Sequence, residues 1–520
     1  MLHVNGKSCG SKRVEVSGDW WVPLGRLPSH GGIDRLYPRA ALWTLPDDVL
    51  LEIFDFYVAA DNTPRFSGKE PQHKDAWHTL VHVCKRWRLV VFASPCRLNL
   101  QLLCTNKRPV RNALDFWPSL PLVIKSYRGL SRLQYTSNII AALKQQNRVY
   151  EIDIDGMPQL FLKKIRAIKL EGPFPKLTSL RLRDPFCRNE VVLPDLFLSG
   201  PAPRLRELYL CGVTFPALEK LLMSTHDLVN LTLLDIPRSG YISPEAMVTY
   251  LSALPRLKSL TLHFRFPRFR PGGANRHPPP LTRVVLPALA VLWFRGDSEY
   301  VEDMVSRIDT PALKSTQILF FNQLLFNIPL LCHFIGRTET LKAPHLSHIT
   351  FSYFGVQVKL FKRKGTGDYK ALELGTLCRP SDWQLSSLAK VCSSALPSLL
   401  APTLEHLAMY EDVSYPEWQD DVENTQWIEL LQPFTSVRDL ELSGKIARQV
   451  IPALGELTGE RVTEVLPALQ TITLPVSQPT GPTQDAIVQF IAAREHAGFP
   501  VTVHYREGQE WINGPFLTPG

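Results

Sequence analysis

Apolar positions along the chain recur in one frame, apolar-x-x-apolar-x-apolar, ten times over. The first copy is Val149, Ile152 and Ile154, and the others open at Leu177, Leu205, Leu228, Leu257, Leu289, Leu346, Leu404, Val437 and Leu469. Side chains of a strand alternate between faces, so the fourth and sixth residues of each copy point together into a core and the fifth points away. A single strand of this kind buries almost nothing. Stacked in parallel, the copies complete one another, which is the logic of a solenoid.

Segments with helical spacing precede many copies: Ser137 to Gln146, Met157 to Ile168, Phe215 to Met223, Pro244 to Leu254, Glu299 to Ile308 and Ile328 to Gly336. Strand, loop, helix, loop then repeats as a right-handed parallel crossover. The gap of 57 residues after Leu289 holds a degenerate copy around Leu313 to Phe320. The gap of 58 residues after Leu346 instead holds alternating runs, Val356 to Phe361 and Tyr369 to Leu374, around Gly365 to Asp368. These predict a β-hairpin inserted beside the repeat near 356–374. A helix from about Ser381 to Leu396 returns the chain to the next copy. A helix from Asp485 to His496 and an edge strand at Val501 to Val503 predict a cap for the open core within 476–520.

Before the repeats the periodicity is helical. Leu45, Val49, Ile53 and Phe56 form one stripe, widened by Leu50 and Phe54, behind a start at Thr44 with Pro46 in the first turn and Asp47 and Asp48 at the positive helix end. A polar segment near 60–74 follows, and then a second helical stretch through Trp77, Leu80, Val81, Cys84 and Trp87, with a short third element or a stop at Ser94-Pro95. Residues 1–41 show no sustained periodicity and are expected to be a disordered lead.

Leu45-Pro46-Asp47-Asp48-Val49-Leu50-Leu51-Glu52-Ile53-Phe54, with His82-Val83-Cys84-Lys85-Arg86-Trp87-Arg88 downstream, resembles an F-box. The whole chain resembles the fungal F-box proteins with irregular leucine-rich-repeat-like domains, by motif over about 42–100 and by repeat pattern beyond. The segment between its first two helices departs from that family. The resemblance implies an α/β fold class: a small all-helical F-box module at 42–105, then an irregular leucine-rich-repeat-like α/β solenoid at 120–475 with a parallel sheet on its concave face. It further implies that Leu45, Pro46, Val49, Leu50, Ile53, Phe54, Cys84 and Trp87 serve a Skp-type adaptor and, through it, a cullin scaffold. The chain would then be the substrate-recognition subunit of an SCF-type ubiquitin ligase. The alternative is a leucine-rich-repeat interaction scaffold with no role in ubiquitin transfer.

If the fourth and sixth residues of each copy face inward, the third, fifth and seventh line the open face. Arg181, Arg183, Tyr209, His263, Trp293, Arg295 and Tyr410 then share one surface, and Trp, Tyr and Arg are the types that concentrate binding energy. These are the expected target-binding residues, although every solenoid face exposes something, and Trp293 has a long Pro-rich loop before it that would cover it.

Composition changes this picture little. A net charge of +9 from 58 basic and 49 acidic residues is mild for 520 residues, and the basic runs fall at predicted loops, where solvated charge is the ordinary reading, so nucleic-acid binding is not expected. Nine cysteines form no Cys-x-x-Cys pair and are expected to be reduced. Without a signal-peptide run or a long apolar stretch, the chain is expected to be soluble and cytoplasmic or nuclear. It has no Gly-x-x-x-x-Gly-Lys-Ser/Thr nucleotide cradle, and its single matches to His-x-x-x-His (His78 and His82, with threonine rather than glutamate after the first) and to Gly-x-Ser-x-Gly (Gly6 to Gly10, in the aperiodic lead) lack the context such sites need. The expectation is therefore a non-catalytic binding protein that needs no cofactor or metal, with a hydrolase as the weakest reading.

Overall fold

The computed structural model describes residues 45–61, 76–95, 97–105, 114–115, 119–126, 133–168, 170, 172–184, 190–267, 282–321, 327–352, 355–364, 367–378, 384–399, 403–411, 423–475 and 481–506. The expected disordered lead at 1–41, the helix start at Thr44, most of the polar segment near 60–74 and most of the Pro/Arg stretch between Arg265 and Arg283 lie outside them. The chain divides into two units, Met1–Ser94 and Pro95–Gly520.

In the first unit, helices span Asp47–Asp61, Ala76–Val83 and Lys85–Ala93. The second helical stretch expected from the sequence is broken at Cys84. That residue is extended (φ −160°, ψ 170°), and its Sγ accepts the backbone N–H of Trp87 at 3.4 Å, capping the third helix as a polar N-cap would. Phe54 lies against Trp87 with ring centroids 4.8 Å apart. Arg86 donates to Asp47 Oδ1 at 2.8 Å and to the carbonyl of Leu45, tying the third helix to the start of the first.

In the second unit the repeat pattern becomes one sheet of sixteen strands among the described residues. Nine run in chain order and in parallel: Leu102–Thr105, Leu122–Ser126, Val149–Asp155, Ser179–Arg183, Glu207–Cys211, Asn230–Ile236, Ser259–Phe264, Val291–Gly296 and Ser315–Phe321. At the far end Leu346–Ser352, His406–Glu411, Asp439–Leu442, Thr471–Pro475 and Thr502–Arg506 again pair in parallel. This is a leucine-rich-repeat-like α/β solenoid in topology.

Two features depart from the expectation. The strand Leu102–Thr105 opens the sheet, although 42–105 was expected to be wholly helical; its short run carries no repeat frame. The hairpin does not sit beside the repeat. Its strands Gly355–Lys364 and Gly367–Leu377 enter the sheet between Ser315–Phe321 and Leu346–Ser352: Gly355–Lys364 is antiparallel to both of its neighbours, Leu346–Ser352 and Gly367–Leu377, while Gly367–Leu377 pairs in parallel with Ser315–Phe321. Three consecutive strands joined by short turns form a meander, because two-residue connections allow only antiparallel neighbours. The sheet is therefore mostly rather than wholly parallel.

The core follows the frame. Ile152, Leu180, Leu208, Leu231, Leu260 and Leu292 stand in register on successive strands, as do Leu182, Leu210, Leu233, Leu262, Phe294 and Ile318, and all are buried. Each buried leucine contributes about 1.5–3 kcal/mol relative to exposure. The opening residues, such as Leu177, Leu205, Leu257 and Leu289, are buried in the turn ahead of the strand. The copy around Leu313 looked degenerate because Thr316, fully buried, occupies the leucine position. Helices observed at Leu133–Leu143, Gln159–Arg166, Leu218–Ser224, Pro244–Ser252, Ser298–Val305 and Pro329–Arg337 join the strands. Glu302, fully buried, accepts the backbone N–H groups of Leu330 (3.1 Å) and Leu331 (2.6 Å), so one repeat caps the helix of the next.

The last helix, Pro482–His496, carries the buried Arg494. Its guanidinium donates to the carbonyls of Phe499 (3.2 Å), Val462 (3.3 Å), Pro467 (3.3 Å) and Leu469 (3.0 Å), pinning this closing unit to the preceding repeat.

Candidate functional site

The odd positions of the strands make a continuous row across the open sheet face. Asp153, Arg181, Tyr209, Thr232, Thr261, Trp293, Gln317 and Glu373 are successive register partners. Lys359, His348, Ala408 and Glu441 extend the row beyond the meander. The seven residues expected on this face lie on it, but in three clusters.

The first holds Arg181, Arg183 and Tyr209. Neighbouring strands supply carboxylates, so both arginines are paired: Arg181 Nη2 with Glu207 Oε1 at 2.7 Å and Arg183 Nη2 with Asp153 Oδ1 at 3.0 Å. Burial works against the Arg183 charge, but Asp153 and Asp155 outweigh it and leave the guanidinium more strongly protonated than usual. Lys125 and Glu151 add another cross-strand pair at 3.3 Å. This end of the face is electrically balanced.

The second cluster holds His263, Trp293 and Arg295. His263 and Trp293 are ring neighbours at 5.6 Å, and His263 pairs in register with Arg295. Burial, with Arg295 nearby, pushes the His263 imidazole down to about 4, so it is neutral at pH 7. The Arg295 guanidinium lies 5.9 Å from the Phe321 ring centroid. Unlike Arg181 and Arg183, it has no ion pair or hydrogen bond among the described residues; the Nε atom is buried without a partner in all three arginines. Burial pushes its pKa down and the charge of Asp235 pulls it up.

The third cluster surrounds Tyr410. His348 lies between Phe361 (centroids 4.5 Å) and Tyr410 (5.2 Å, edge-on). Burial and Lys359 push His348 down to about 4 against the pull of Asp368, while burial and Glu441 push the Tyr410 hydroxyl up. Neither His348 nor Phe361 was among the expected site residues: the parallel pairing of Leu346–Ser352 with His406–Glu411 sets His348 beside Tyr410, and the hairpin strand brings Phe361 to His348.

The expected adaptor residues of the first unit are divided by their helix. Leu50 and Phe54 are fully buried, so they are core rather than surface anchors. On the other side of the same helix, Val49 (38%), Ile53 (44%), Phe56 (79%) and Tyr57 (44%) are exposed, with Pro46 exposed before them. The outward stripe at 49, 53, 56 and 57 therefore differs from the wider one drawn from the sequence. Cys84 and Trp87 are half-buried, one as a cap and the other as support for Phe54.

Among the described residues no three His, Cys, Asp or Glu groups are arranged to hold a metal ion, and no helix is long and apolar enough to cross a membrane. The described cysteines are free.

No protein-family model matches the chain, and no curated protein matches it. Among solved structures it is similar to the leucine-rich repeat-containing protein LegL7 from Legionella pneumophila, at 16% identity over 78% of this chain and 99% of that one, with a TM-score of 0.25.

Proposed function

We propose that the chain is a repeat-built protein-interaction scaffold whose open sheet face holds a partner protein. The observation that supports this best is the central part of that face, where Tyr209, His263, Trp293 and Arg295 stand half-buried on the side of the sheet away from the leucine core. A purified partner identified by proximity labelling should lose binding to Trp293→Ala and Tyr209→Ala variants and keep it with Lys220→Ala on a helix. Binding insensitive to every sheet-face substitution would overturn this reading.

A second reading is favoured by the exposed stripe Val49, Ile53, Phe56 and Tyr57 behind Leu45-Pro46. There the first unit docks on a Skp-type adaptor and a cullin scaffold, and the chain presents the held protein for ubiquitin transfer as the recognition subunit of an SCF-type ligase. Its role would be proximity rather than bond chemistry. Apolar anchors at the centre of such a contact contribute about 2 kcal/mol or more each. Purified adaptor should bind the chain, and an Ile53→Gln, Phe56→Gln variant should abolish binding. An adaptor that ignores both the wild-type chain and this stripe leaves the scaffold reading alone.

A further inference from the structure

Among the described residues, Arg295 is a cation of the open face that its own strands do not neutralise. Arg181 and Arg183 each meet a carboxylate on the neighbouring strand. Arg295, two residues beyond Trp293 on its strand, has Leu319 and His263 as its register neighbours. Neither carries a negative charge. Asp235, the acidic group whose field reaches Arg295, lies at a register shift between strands and has the left-handed φ of +48°. It does not ion-pair with Arg295 among the described residues. A partly buried guanidinium without an acceptor has lost hydration and received little in return, and an incoming anion recovers that loss.

The surroundings give the anion a shape. Between Tyr209 and Trp293 the row carries two short side chains, Thr232 and Thr261. Three strand spacings separate the two aromatics, about 14 Å. On this spacing the two aromatics flank a strip of short side chains, half-buried Thr232 and buried Thr261, which makes a shallow trough on the scale of one extended peptide backbone. Arg295 lies at its Trp293 wall, and Phe321 backs the guanidinium.

We propose that this trough binds an extended peptide segment of the partner through an aspartate or glutamate side chain, whose carboxylate pairs with Arg295 while the neighbouring residues pack on Trp293 and Tyr209. The proposal rests on the scaffold reading and gives its partner a chemistry. A carboxylate suits the site better than a phosphate because, among the described residues on the strands that form the trough, Arg295 alone is a cation without a carboxylate partner. His263 is neutral at pH 7, so no second positive charge is present for a dianion.

Random peptides displayed on phage and selected against the full chain should be enriched in Asp or Glu beside an aromatic or aliphatic residue. A selected peptide made with Glu, Gln or phosphoserine at that position should bind best with Glu, and Gln should weaken it by about tenfold or more. Arg295→Gln should cause a similar loss, with the thermal midpoint checked alongside. Arg295→Glu should recover binding to the same peptide carrying Lys, a gain that a misfolded variant cannot produce. Phosphoserine binding tenfold tighter than Glu would overturn the carboxylate assignment. Selected peptides that lack acidic residues, bind Arg295→Gln normally and lose binding to Trp293→Ala would overturn the inference and leave the scaffold reading standing. If no peptide is selected, or selected peptides ignore Tyr209, Trp293 and Arg295 alike, both fall.

Discussion

The two units treat their apolar residues differently. In the repeats almost every residue of the leucine frame is buried, each strand covering the edge of the one before it. In the first helix Leu50 and Phe54 are buried while Val49, Ile53, Phe56 and Tyr57, on the same helix, are exposed. A solenoid satisfies its own core by repetition, and what it shows outward is polar, aromatic and charged. The three helices described in the first unit enclose too little interior to cover a stripe that extends around the helix, so apolar surface is left over. It is this leftover surface that the adaptor reading proposes as a docking face.

The test with the largest expected effect separates the inner from the outer face of that helix. Phe54→Ala removes a ring packed on Trp87 and should cost about 3–5 kcal/mol, read as early loss of helical signal from the first unit in urea. Ile53→Gln and Phe56→Gln should leave the same midpoint within about 0.5 kcal/mol, as exposed substitutions do. A large loss from Ile53→Gln would mean that the stripe is structural and would end the comparison.

This division was only half legible in the sequence. Leu45, Val49, Leu50, Ile53, Phe54 and Phe56 read as one broad stripe, because helical spacing says which residues share a face but not how much of that face a small bundle can cover. Cys84 gave no helix-break signal, since the break depends on a sulfur accepting a backbone N–H. In the repeats the frame located ten strands well, because burial at alternate positions imposes leucine or isoleucine there. Leu102–Thr105 and Leu122–Ser126 were too short and too uniformly apolar to show it. The His348–Phe361–Tyr410 cluster depends on the register of Leu346–Ser352 with two neighbours, the hairpin strand on one side and His406–Glu411, far along the chain, on the other. The contrast between paired Arg181 and unpaired Arg295 depends on register too. Both read as arginines at outward positions, and only their neighbours across the sheet distinguish them.

The next test asks how open the sheet face is. His263 and His348 both lie on it, yet both are held near 4 rather than 6.5, chiefly by burial. Between pH 6.5 and 4 the unfolded chain binds protons at these positions that the folded chain refuses. Stability should therefore fall as pH drops through that window, by up to roughly 3 kcal/mol for each histidine. Carboxylates titrate in the same range, so the comparison is with His263→Gln and His348→Gln. The double variant should lose less stability than the wild-type chain between pH 6.5 and 4 in urea titrations. Identical pH profiles would show that these imidazoles are as solvated as the exposed stripe of the helix.

The smallest effect belongs to the balanced end of the face. The Arg181–Glu207 pair, at 2.7 Å, has side chains 42% and 31% exposed. Water screens both charges, and holding two long side chains in one geometry costs entropy, so the pair should contribute no more than about 1 kcal/mol. Arg181→Ala and Glu207→Ala, measured singly and together, should show a coupling within that bound that shrinks further in salt. Loss of the peptide's acidic contact at Arg295 should instead change binding and leave the urea midpoint nearly still. If Arg181→Ala weakened the selected peptide as much as Arg295→Gln, the contrast between a neutralised and an uncompensated arginine would fail, and the whole charged row would have to be treated as one recognition surface.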